Sequence, residues 1–437
     1  MNKKINTIAV LGGGTMGRGI AGLCAQSNKK VLLLDISLDE AEKSLEEIIN
    51  GHPPAVDEPN KASNITLGTF SNDLAKISEC DWVCEAVTED LNIKRDLFEM
   101  LEPFRKEGSV VSTNTSGIPL KEISEGMPNR LSRDIVVTHF FNPVKIMRLM
   151  ELVPGENTDP EVVKRLADFC SGVLGKGVVH AKDTVNFIGN RIGCFWMLMG
   201  LHKANKALDK GISMETIDAL MSKPVGLPPT GLYGLIDLIG LDVMDLVGKN
   251  LAVNLPAGDL GLSYTDFPAN IQTMLKRGQI GRKAGGGFYR MIKLQDGAKA
   301  IEAFDLKVGE WRKSGKVVLD DKHSGLDVLF LDDIEGRFSW EIMSSVLCYA
   351  AELVPEISDD IVNIDRAMRW GFAWAKGPFE LIDEIGSDRI IDRLLSEERP
   401  IPKMLQTLLD SGSSKFYVED GTKYLGINGR YYQTPEE

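Results

Sequence analysis

Short apolar runs alternate with longer amphipathic stretches from the start of the chain to Asp183. The short runs have the length of strands and are bounded by polar or turn-forming residues. In the longer stretches apolar residues recur every three or four positions, which is typical of helices with one buried face. Apolar strands that alternate with helices predict a mostly parallel sheet covered on both faces. The predicted strands are Ile8–Leu11, Val31–Leu34, Trp82–Val87, Ser109–Ser112, Ile135–His139, Leu149–Val153 and Gly177–His180, and the predicted helices include Gly14–Gln26, Asp39–Ile49 and Leu91–Leu101.

Beyond Asp183 the pattern is helical throughout and repeats once. Ile217-Asp218 matches Ile364-Asp365, and Leu235–Asp237 matches Leu381–Asp383 at a nearly constant offset, which favours a duplicated domain. We therefore predict an α/β doubly wound sheet followed by an all-α region with two copies. The tail Ser411–Glu437 has weak β character and contains no motif to which we assign a role. The predicted bounds are residues 1–184 for the α/β domain, 185–290 for the first helical copy, 291–332 for a polar linker, and 333–437 for the second copy with its tail.

A glycine-rich turn, "LGGGTMGRG", follows the first predicted strand and begins the first predicted helix. In this position Gly12 permits the tight turn, Gly14 lets a pyrophosphate approach the backbone, and Gly17 allows close helix–strand packing. The free N–H groups at the helix start, around Thr15 and Met16, favour a diphosphate. The turn predicts a Rossmann-type dinucleotide site, and a glycine turn without a ligand is the alternative.

The choice of dinucleotide rests on the acid at the end of the second strand. Asp35 lies 23 residues beyond Gly12, where a carboxylate accepts hydrogen bonds from a ribose hydroxyl and repels a 2′-phosphate. This favours NAD over NADP. FAD shares the same glycine pattern and stays open at this point.

Composition narrows the class of protein. A chain of 437 residues with 26% charged and 43% hydrophobic residues predicts a globular protein of more than one domain. The net charge of −13 argues against nucleic acid or an anionic membrane surface as a partner. The longest apolar stretch is interrupted by Asn190 and Arg191, and the N-terminus lacks a signal-peptide pattern. The six cysteines form no metal-binding pattern, so we predict a cytoplasmic protein with reduced thiols and no metal site.

Three polar side chains near predicted strand ends are candidates for proton transfer. They are Ser116, Glu151 and His139, which is one of only five histidines. A histidine with a carboxylate partner commonly transfers protons near neutral pH. With NAD, the matching reaction is alcohol oxidation, in which His139 takes the hydroxyl proton. A structural histidine beside Phe140 and a Ser–His–Glu hydrolase are the alternatives, although no G-x-S-x-G motif surrounds Ser116.

Six motifs together resemble those of the 3-hydroxyacyl-CoA dehydrogenase family of fatty-acid β-oxidation. In order they are "GGGTMGRGIA", "CEAVTEDLNIKRDLFEML", "STNTSGIPL", "THFFNPVKIMRLMELVPG", "DTVNFIGNRI" and "GRKAGGGFY". The resemblance covers roughly residues 5–290, and residues 333–400 are similar to the second helical copy of multifunctional members. It implies NAD-dependent interconversion of an (S)-3-hydroxyacyl-CoA and a 3-oxoacyl-CoA.

The resemblance also implies roles for individual residues. His139 is the implied general base and Glu151 its orienting partner, while Ser116 and Asn190 are implied to hydrogen-bond at the reacting oxygen and the nicotinamide side. Without the resemblance, Glu89, Lys94 and Lys283 would be interpreted as solvated helix charges. The implied cofactor contacts, besides the glycine turn and Asp35, are Glu89, Lys94, Ser116, Asn142 and Lys283.

The chain departs from the family pattern in ways that affect the predictions. The segment Asp39–Asn72 is short, and the Ser and Lys that lie near coenzyme A in relatives cannot be located in it. In the second copy Gly336 stands where the first has Asn190, which predicts a structural copy. That copy is expected to take the place of a dimer partner, giving a monomer or a weak homo-oligomer. The chain stops at Glu437 without an enoyl-CoA hydratase domain, so no hydratase activity is predicted.

Two other functions stay open on the sequence alone. One is a dehydrogenase for a 3-hydroxy acid that carries no coenzyme A. The other is a structural protein that binds NAD without turnover, although such a protein has no need of Ser116, His139, Glu151 and Asn190 together.

Overall fold

The computed structural model describes residues 4–437, which form two compact units. The first unit extends to Ile188 and includes Glu356–Ser358 and Glu437. The second comprises Gly189–Pro355 and Asp359–Glu436, so both predicted helical copies belong to one unit.

An eight-stranded sheet forms the centre of the first unit. Its strands are β1 (Thr7–Leu11), β2 (Lys30–Asp35), β3 (Ile65–Thr69), β4 (Trp82–Glu85), β5 (Val110–Thr113), β6 (Ile135–Phe140), β7 (Leu149–Pro154) and β8 (Gly177–His180). Their spatial order is β3-β2-β1-β4-β5-β6-β7-β8, and every neighbouring pair is parallel except β6 and β7. All seven predicted strands are present, and β3 is an eighth that the sequence did not predict.

Helices cover both faces of this sheet. Successive strand residues point to opposite faces, and in β1, β2, β4 and β5 successive residues are buried. Side-chain caps explain where two helices begin: Ser37 accepts from the Glu40 N–H at 3.3 Å, and Asp90 accepts from the Ile93 N–H at 3.0 Å. The helices are α1 (Thr15–Gln26), α2 (Leu38–Asn50), α3 (Phe70–Asp73), α4 (Leu91–Leu101), α5 (Leu120–Ser124), α6 (Asn129–Asp134) and α7 (Pro160–Gly172).

The second unit is mainly helical but also contains two small sheets. Its helices are α8 (Gly189–Asp209), α9 (Met214–Leu220), α10 (Gly231–Ile239), α11 (Leu241–Asn254), α12 (Ala269–Lys276), α13 (Ile334–Glu352), α14 (Ile361–Phe372), α15 (Pro378–Ile385), α16 (Ser387–Ser396) and α17 (Lys403–Asp410). One antiparallel sheet consists of β9 (Tyr289–Lys293), β10 (Lys299–Asp305) and β11 (Glu310–Lys313), and the other of β12 (Tyr417–Val418), β13 (Lys423–Leu425) and β14 (Tyr431–Gln433). Beyond Asp183 the chain is mainly helical, as predicted, but it is not helical throughout. Most of β9 and all of β10 and β11 lie within the segment predicted as a linker, and β12–β14 lie in the tail. None of the helices in residues 4–437 combines the length and apolar character that a membrane span requires.

Two aspartates, the half-buried Asp218 and the buried Asp237, hold the first helical copy together. Asp218 accepts hydrogen bonds from the Tyr233 N–H at 2.7 Å and from the Tyr289 hydroxyl at 2.9 Å. Asp237 accepts from the backbone N–H groups of Phe288 and Tyr289 at 2.8 and 2.7 Å. Asp218 thereby fixes the start of α10 to α9, and Asp237 fixes the start of β9 to α10.

The second copy repeats the same bonds. Asp365 accepts from the Phe379 N–H at 2.8 Å and from the Tyr417 hydroxyl at 2.7 Å. Asp383 accepts from the N–H groups of Phe416 and Tyr417, both at 2.7 Å. The predicted duplication is therefore confirmed. The tail, to which the sequence analysis assigned no motif, contains Phe416-Tyr417, the counterpart of Phe288-Tyr289.

Candidate functional site

The glycine turn has the shape that a dinucleotide requires. Gly12 has a left-handed φ of +98°, and a Cβ at Gly17 would lie 1.8 Å from the Gly12 carbonyl oxygen. A Cβ at Gly14 would meet nothing within 4 Å, so the backbone there is open to a ligand. Thr15 begins α1 and is exposed, and Met16 is half-buried. These features fit the diphosphate of NAD at the N-terminus of α1.

Two polar side chains hold the turn against β2 and α2. Asp35 accepts from the Gly13 N–H at 2.7 Å with one carboxylate oxygen and from the Ile36 N–H at 2.7 Å with the other. The Ser44 hydroxyl donates to the Gly13 carbonyl at 2.8 Å, and a Cβ at Gly13 would lie 2.2 Å from that hydroxyl oxygen. Each Asp35 oxygen keeps acceptor capacity for a ribose hydroxyl. Sequence reasoning missed Gly13 and Ser44, and the only available signal was the third consecutive glycine.

His139 and Glu151 face each other across neighbouring strands. They are paired in the antiparallel register of β6 and β7, and the His139 Nδ1 lies 2.6 Å from a Glu151 carboxylate oxygen. The side chain of His139 is 6% exposed and that of Glu151 is 0% exposed. Glu151 lies near the start of β7 rather than at a carboxyl end. The two residues meet because β7 runs antiparallel, which puts its start at the same sheet edge as the end of β6.

The remaining contacts of this pair fix the imidazole. The other Glu151 oxygen accepts from the Ile188 N–H at 3.0 Å. The rings of Phe141 and Phe187 lie 4.6 and 5.6 Å from the imidazole, centroid to centroid. A carboxylate that is ionised only accepts hydrogen bonds, so beside it the neutral imidazole carries its proton on Nδ1 and leaves Nε2 as an acceptor. That is the tautomer a general base requires.

Ser116 lies on a loop that Glu89 holds in place. One Glu89 oxygen accepts from the Thr115 hydroxyl at 2.6 Å and from the N–H groups of Ser116 and Gly117 at 2.8 and 3.0 Å. Burial would raise the pKa of Glu89, but the positive charge of Lys94 and these hydrogen bonds outweigh it and lower the pKa. Glu89, which the resemblance implies as a cofactor contact, therefore also fixes the backbone that carries Ser116.

Lys94 forms a buried ion pair with an acid that the sequence did not predict as important. Its Nζ lies 2.8 Å from Glu85 and 3.1 Å from Glu89, and the side chains of Lys94 and Glu85 are 1% and 0% exposed. Glu85 also accepts from the Thr113 hydroxyl at 2.6 Å and from the Val87 N–H at 2.7 Å. Lys94 thus compensates two carboxylates, that of Glu85 at the end of β4 and that of Glu89 in the loop that follows β4. The only signal for Glu85 was an acid at the end of an apolar strand.

Asn142 lies in the turn between β6 and β7 and lines a cavity of about 200 Å³. The buried Lys176 holds this turn by donating to the carbonyl oxygens of Val144 and Met147. The cavity is lined by residues of α1, the loop after α2 and this turn, and its polar lining includes Thr15, Arg18, His52, Asn142 and Lys145. Sequence reasoning did not identify Arg18 or Lys145, because they are distant in sequence from each other.

Asn190 and Lys283 belong to the second unit. Asn190 is the second residue of α8 and is half-buried. Lys283 is exposed in the segment between α12 and β9, with its Nζ 2.7 Å from an Asp242 oxygen. Their roles at the cofactor and substrate stay predictions.

Three side chains of the kinds that bind metal ions lie close together in the second unit, namely His323, Asp333 and Glu335. Asp333 is already bonded to the Lys322 ammonium at 2.7 Å and to the Gly336 N–H at 2.9 Å. Because a lysine already compensates this acid, we assign no metal to the group.

Two family models match consecutive parts of the chain. Residues 7–184 match the model described as 3-hydroxyacyl-CoA dehydrogenase, NAD binding domain. Residues 187–291 match the model described as 3-hydroxyacyl-CoA dehydrogenase, C-terminal domain.

Individual proteins are similar over longer stretches. A probable 3-hydroxyacyl-CoA dehydrogenase of Bacillus subtilis is 35% identical over 465 aligned positions, which cover 100% of this chain and 58% of that protein. A probable 3-hydroxyacyl-CoA dehydrogenase of Deinococcus radiodurans is 35% identical over 66% of this chain and 84% of its own length. The crystal structure of 3-hydroxybutyryl-CoA dehydrogenase from Escherichia coli shares the fold, with a TM-score of 0.71 and 23% identity over 94% of this chain and 100% of that one. The chain thus spans less than two thirds of the Bacillus subtilis relative's length.

Proposed function

Because this chain belongs to the 3-hydroxyacyl-CoA dehydrogenase family, and is thus an NAD-dependent oxidoreductase, we propose that it interconverts (S)-3-hydroxyacyl-CoA and 3-oxoacyl-CoA in fatty-acid β-oxidation. The observation that carries the proposal is the buried His139–Glu151 pair, with its 2.6 Å hydrogen bond, in the same unit as the dinucleotide turn. NAD, when bound, accepts a hydride from C3 of the substrate.

His139 removes the proton from the substrate hydroxyl through Nε2, the nitrogen that does not face Glu151. Glu151 keeps the Nδ1–H in place and stabilises the imidazolium that forms, since the carboxylate lies 2.6 Å away and is shielded from water. Phe141 and Phe187 limit the rotation of the ring. In the reverse direction, the same nitrogen returns the proton to the oxygen at C3.

Ser116 and Asn190 are proposed to hydrogen-bond at the reacting oxygen and the nicotinamide side. The support for Ser116 is a backbone held by Glu89 through two N–H bonds of 2.8 and 3.0 Å, so its hydroxyl starts from a fixed position. Asn142, Glu89, Lys94 and Lys283 stay proposed cofactor residues on the family resemblance, and Asp35 is proposed to accept from the ribose.

The cavity beside Asn142 is proposed to hold the phosphate-bearing part of coenzyme A. Arg18 and Lys145 lie in its wall with side chains 35% and 24% exposed. The Lys145 ammonium pairs with Asp57 at 2.5 Å and donates to the Pro54 carbonyl at 3.3 Å, which leaves one of its three N–H donors for a bound anion. Among residues 4–437, the Arg18 guanidinium forms one ion pair, with Glu47 at 3.7 Å, which leaves most of its donors available. Lysine and arginine are common phosphate ligands. This cavity offers the contacts that could not be identified in the short segment after β2.

We propose that the protein acts as a monomer in the cytoplasm, and the packing of the two helical copies supports the monomer. Helix α13 of the second copy packs on α8 of the first, with Phe195 and Tyr349 stacked at 4.0 Å and Lys203 paired with Glu341 at 2.5 Å. We propose that this packing occupies the surface a dimer partner would use. Light scattering should give a mass near the 48.1 kDa of one chain, and a dimer formed through α8 would contradict the proposal.

The purified chain is expected to oxidise NADH when acetoacetyl-CoA is added, because acetoacetyl-CoA is a 3-oxoacyl-CoA. The loss of NADH absorbance measures the rate. Free acetoacetate is the control, and it should give little or no turnover if the coenzyme A part contributes to binding. Absence of turnover with acetoacetyl-CoA would refute the enzyme, and equal turnover with acetoacetate would favour a dehydrogenase of free 3-hydroxy acids.

Lys145→Ala is expected to raise KM for acetoacetyl-CoA about 10-fold, the loss of one charge-assisted hydrogen bond to a phosphate. KM for S-acetoacetyl-pantetheine, which lacks the nucleotide phosphates, should not change. Lys164→Ala is the matched control, since it removes an exposed Lys164–Asp168 pair of 2.6 Å on α7. A rise in KM of the same size for both substrates would exclude a phosphate site here, and a change in KM for NADH alone would assign Lys145 to the cofactor.

A further inference from the structure

A buried three-residue network lies directly behind the first turn of α8. The Arg191 Nε donates to the Tyr349 hydroxyl at 2.7 Å, and its Nη2 lies 2.5 Å from an Asp259 oxygen. The Tyr349 hydroxyl donates to the other Asp259 oxygen at 3.0 Å. The side chains of Arg191 and Asp259 are 1% and 7% exposed, so water does not compete for these bonds. Burial raises the pKa of Tyr349, so its hydroxyl keeps the proton that it donates.

The network joins the two helical copies. Arg191 and Asp259 belong to the first copy, whereas Tyr349 lies on α13 of the second. The Tyr349 ring also stacks on Phe195, one turn along α8, with centroids 4.0 Å apart. The second copy thus contacts both the charged group and the apolar side of the turn that carries Asn190.

The equivalent arginine of the second copy behaves differently. Arg337 follows Gly336 as Arg191 follows Asn190, but it is exposed and donates to the neighbouring Asp332 carbonyl. Of these two arginines, Arg191 stands next to an asparagine and is buried and bonded to the other copy, whereas Arg337 stands next to a glycine and is exposed. A requirement of the helical fold alone would apply to both copies.

We propose that Tyr349 and Asp259 are positioning residues, which hold Arg191 and thereby set the first turn of α8 and the amide of Asn190. The inference rests on the proposed function, in which Asn190 contacts the substrate or cofactor. The second copy then contributes to catalysis through the position of Asn190. Because shifts of about 1 Å in a reacting group can lower rates about 100-fold, a single hydrogen bond at this turn has a measurable effect.

Tyr349→Phe is expected to lower kcat about 10- to 100-fold while KM for NADH stays within about twofold, because the ring stays but Arg191 loses an acceptor. Tyr417→Phe is the matched control, because it removes a half-buried tyrosine hydroxyl bonded to Asp365 at 2.7 Å, within the second copy only. We expect Tyr417→Phe to lower the Tm without lowering kcat. Asp259→Asn should reduce kcat like Tyr349→Phe, and the double variant should lose little more, since both act through Arg191.

A readout independent of turnover is the side-chain amide NMR signal of Asn190, assigned with Asn190→Gln. It should shift in Tyr349→Phe and stay unchanged in Tyr417→Phe. A folded Tyr349→Phe with wild-type kcat and an unshifted amide would overturn the inference, as would equal losses of kcat in both tyrosine variants. If Tyr349→Phe does not fold, kcat and the Asn190 amide signal of Asp259→Asn test the inference instead. An inactive wild-type enzyme would instead refute the proposed function, while the amide shift would still report the positioning.

Discussion

His139→Ala is expected to reduce kcat for acetoacetyl-CoA on the order of 10²- to 10⁴-fold, the range typical for loss of a general acid or base. The residual rate would depend on water as the proton donor. Binding of NADH should change little, because the imidazole interacts with Glu151 and two phenylalanine rings rather than with the glycine turn. Steady-state kinetics of NADH oxidation measure kcat, and fluorescence titration measures NADH affinity.

His323→Ala is a closely matched control. His323 is also a buried histidine bonded to a carboxylate, with its Nε2 2.9 Å from Asp333, but it lies outside the proposed site. His323→Ala should lower the free energy of unfolding. It should leave kcat within about twofold of the wild-type value, because the surroundings of the reacting groups do not change. A His139→Ala enzyme with wild-type kcat would remove this residue from the mechanism.

Lys94→Met is expected to destabilise the first unit by about 3–5 kcal/mol, because removal of one partner leaves a buried charge uncompensated. The Glu85 carboxylate, which is 0% exposed, would lose the ammonium group that lies 2.8 Å from it in the wild type. Glu89 would lose the same cation, so the loop that carries Ser116 would also loosen. Urea unfolding followed by tryptophan fluorescence measures the change, because Trp82 lies at the start of β4.

Lys43→Met provides the comparison for this loss. Lys43 also pairs with a glutamate, Glu40, at 2.6 Å, but its side chain is 67% exposed and water compensates the remaining charge. The urea midpoint of Lys43→Met should match that of wild type. The double variant Lys94→Met/Glu85→Gln should recover part of the lost stability, since it removes both buried charges. Equal midpoints for Lys94→Met and Lys43→Met would show that the buried pair does not stabilise the domain.

The sequence was most informative where one physical requirement acts on neighbouring residues. Strands covered on both faces must be apolar throughout, so seven of the eight strands of the main sheet could be predicted. A tight turn requires glycine, as the φ of +98° at Gly12 illustrates. Strand β3 contains Gly68 and two threonines among its five residues, and its pattern was too weak to detect.

Partners distant in sequence could not be predicted in the same way. Nothing in "RLMELVPG" indicates that β7 is antiparallel, although that direction brings Glu151 opposite His139. The Glu85–Lys94 pair looks like two unrelated charges until strand and helix pack together. Arg191 and Tyr349 are separated by 158 residues, and only the folded second unit joins them.

The bond between Arg191 and Tyr349 has a further consequence for how the protein behaves on dilution. A contact between two separate chains weakens as the protein concentration falls, because association is governed by mass action. Here both residues belong to one polypeptide, so the contact forms within the molecule and its local concentration does not change. A dehydrogenase arranged in this way would keep the same specific activity at very low cellular abundance.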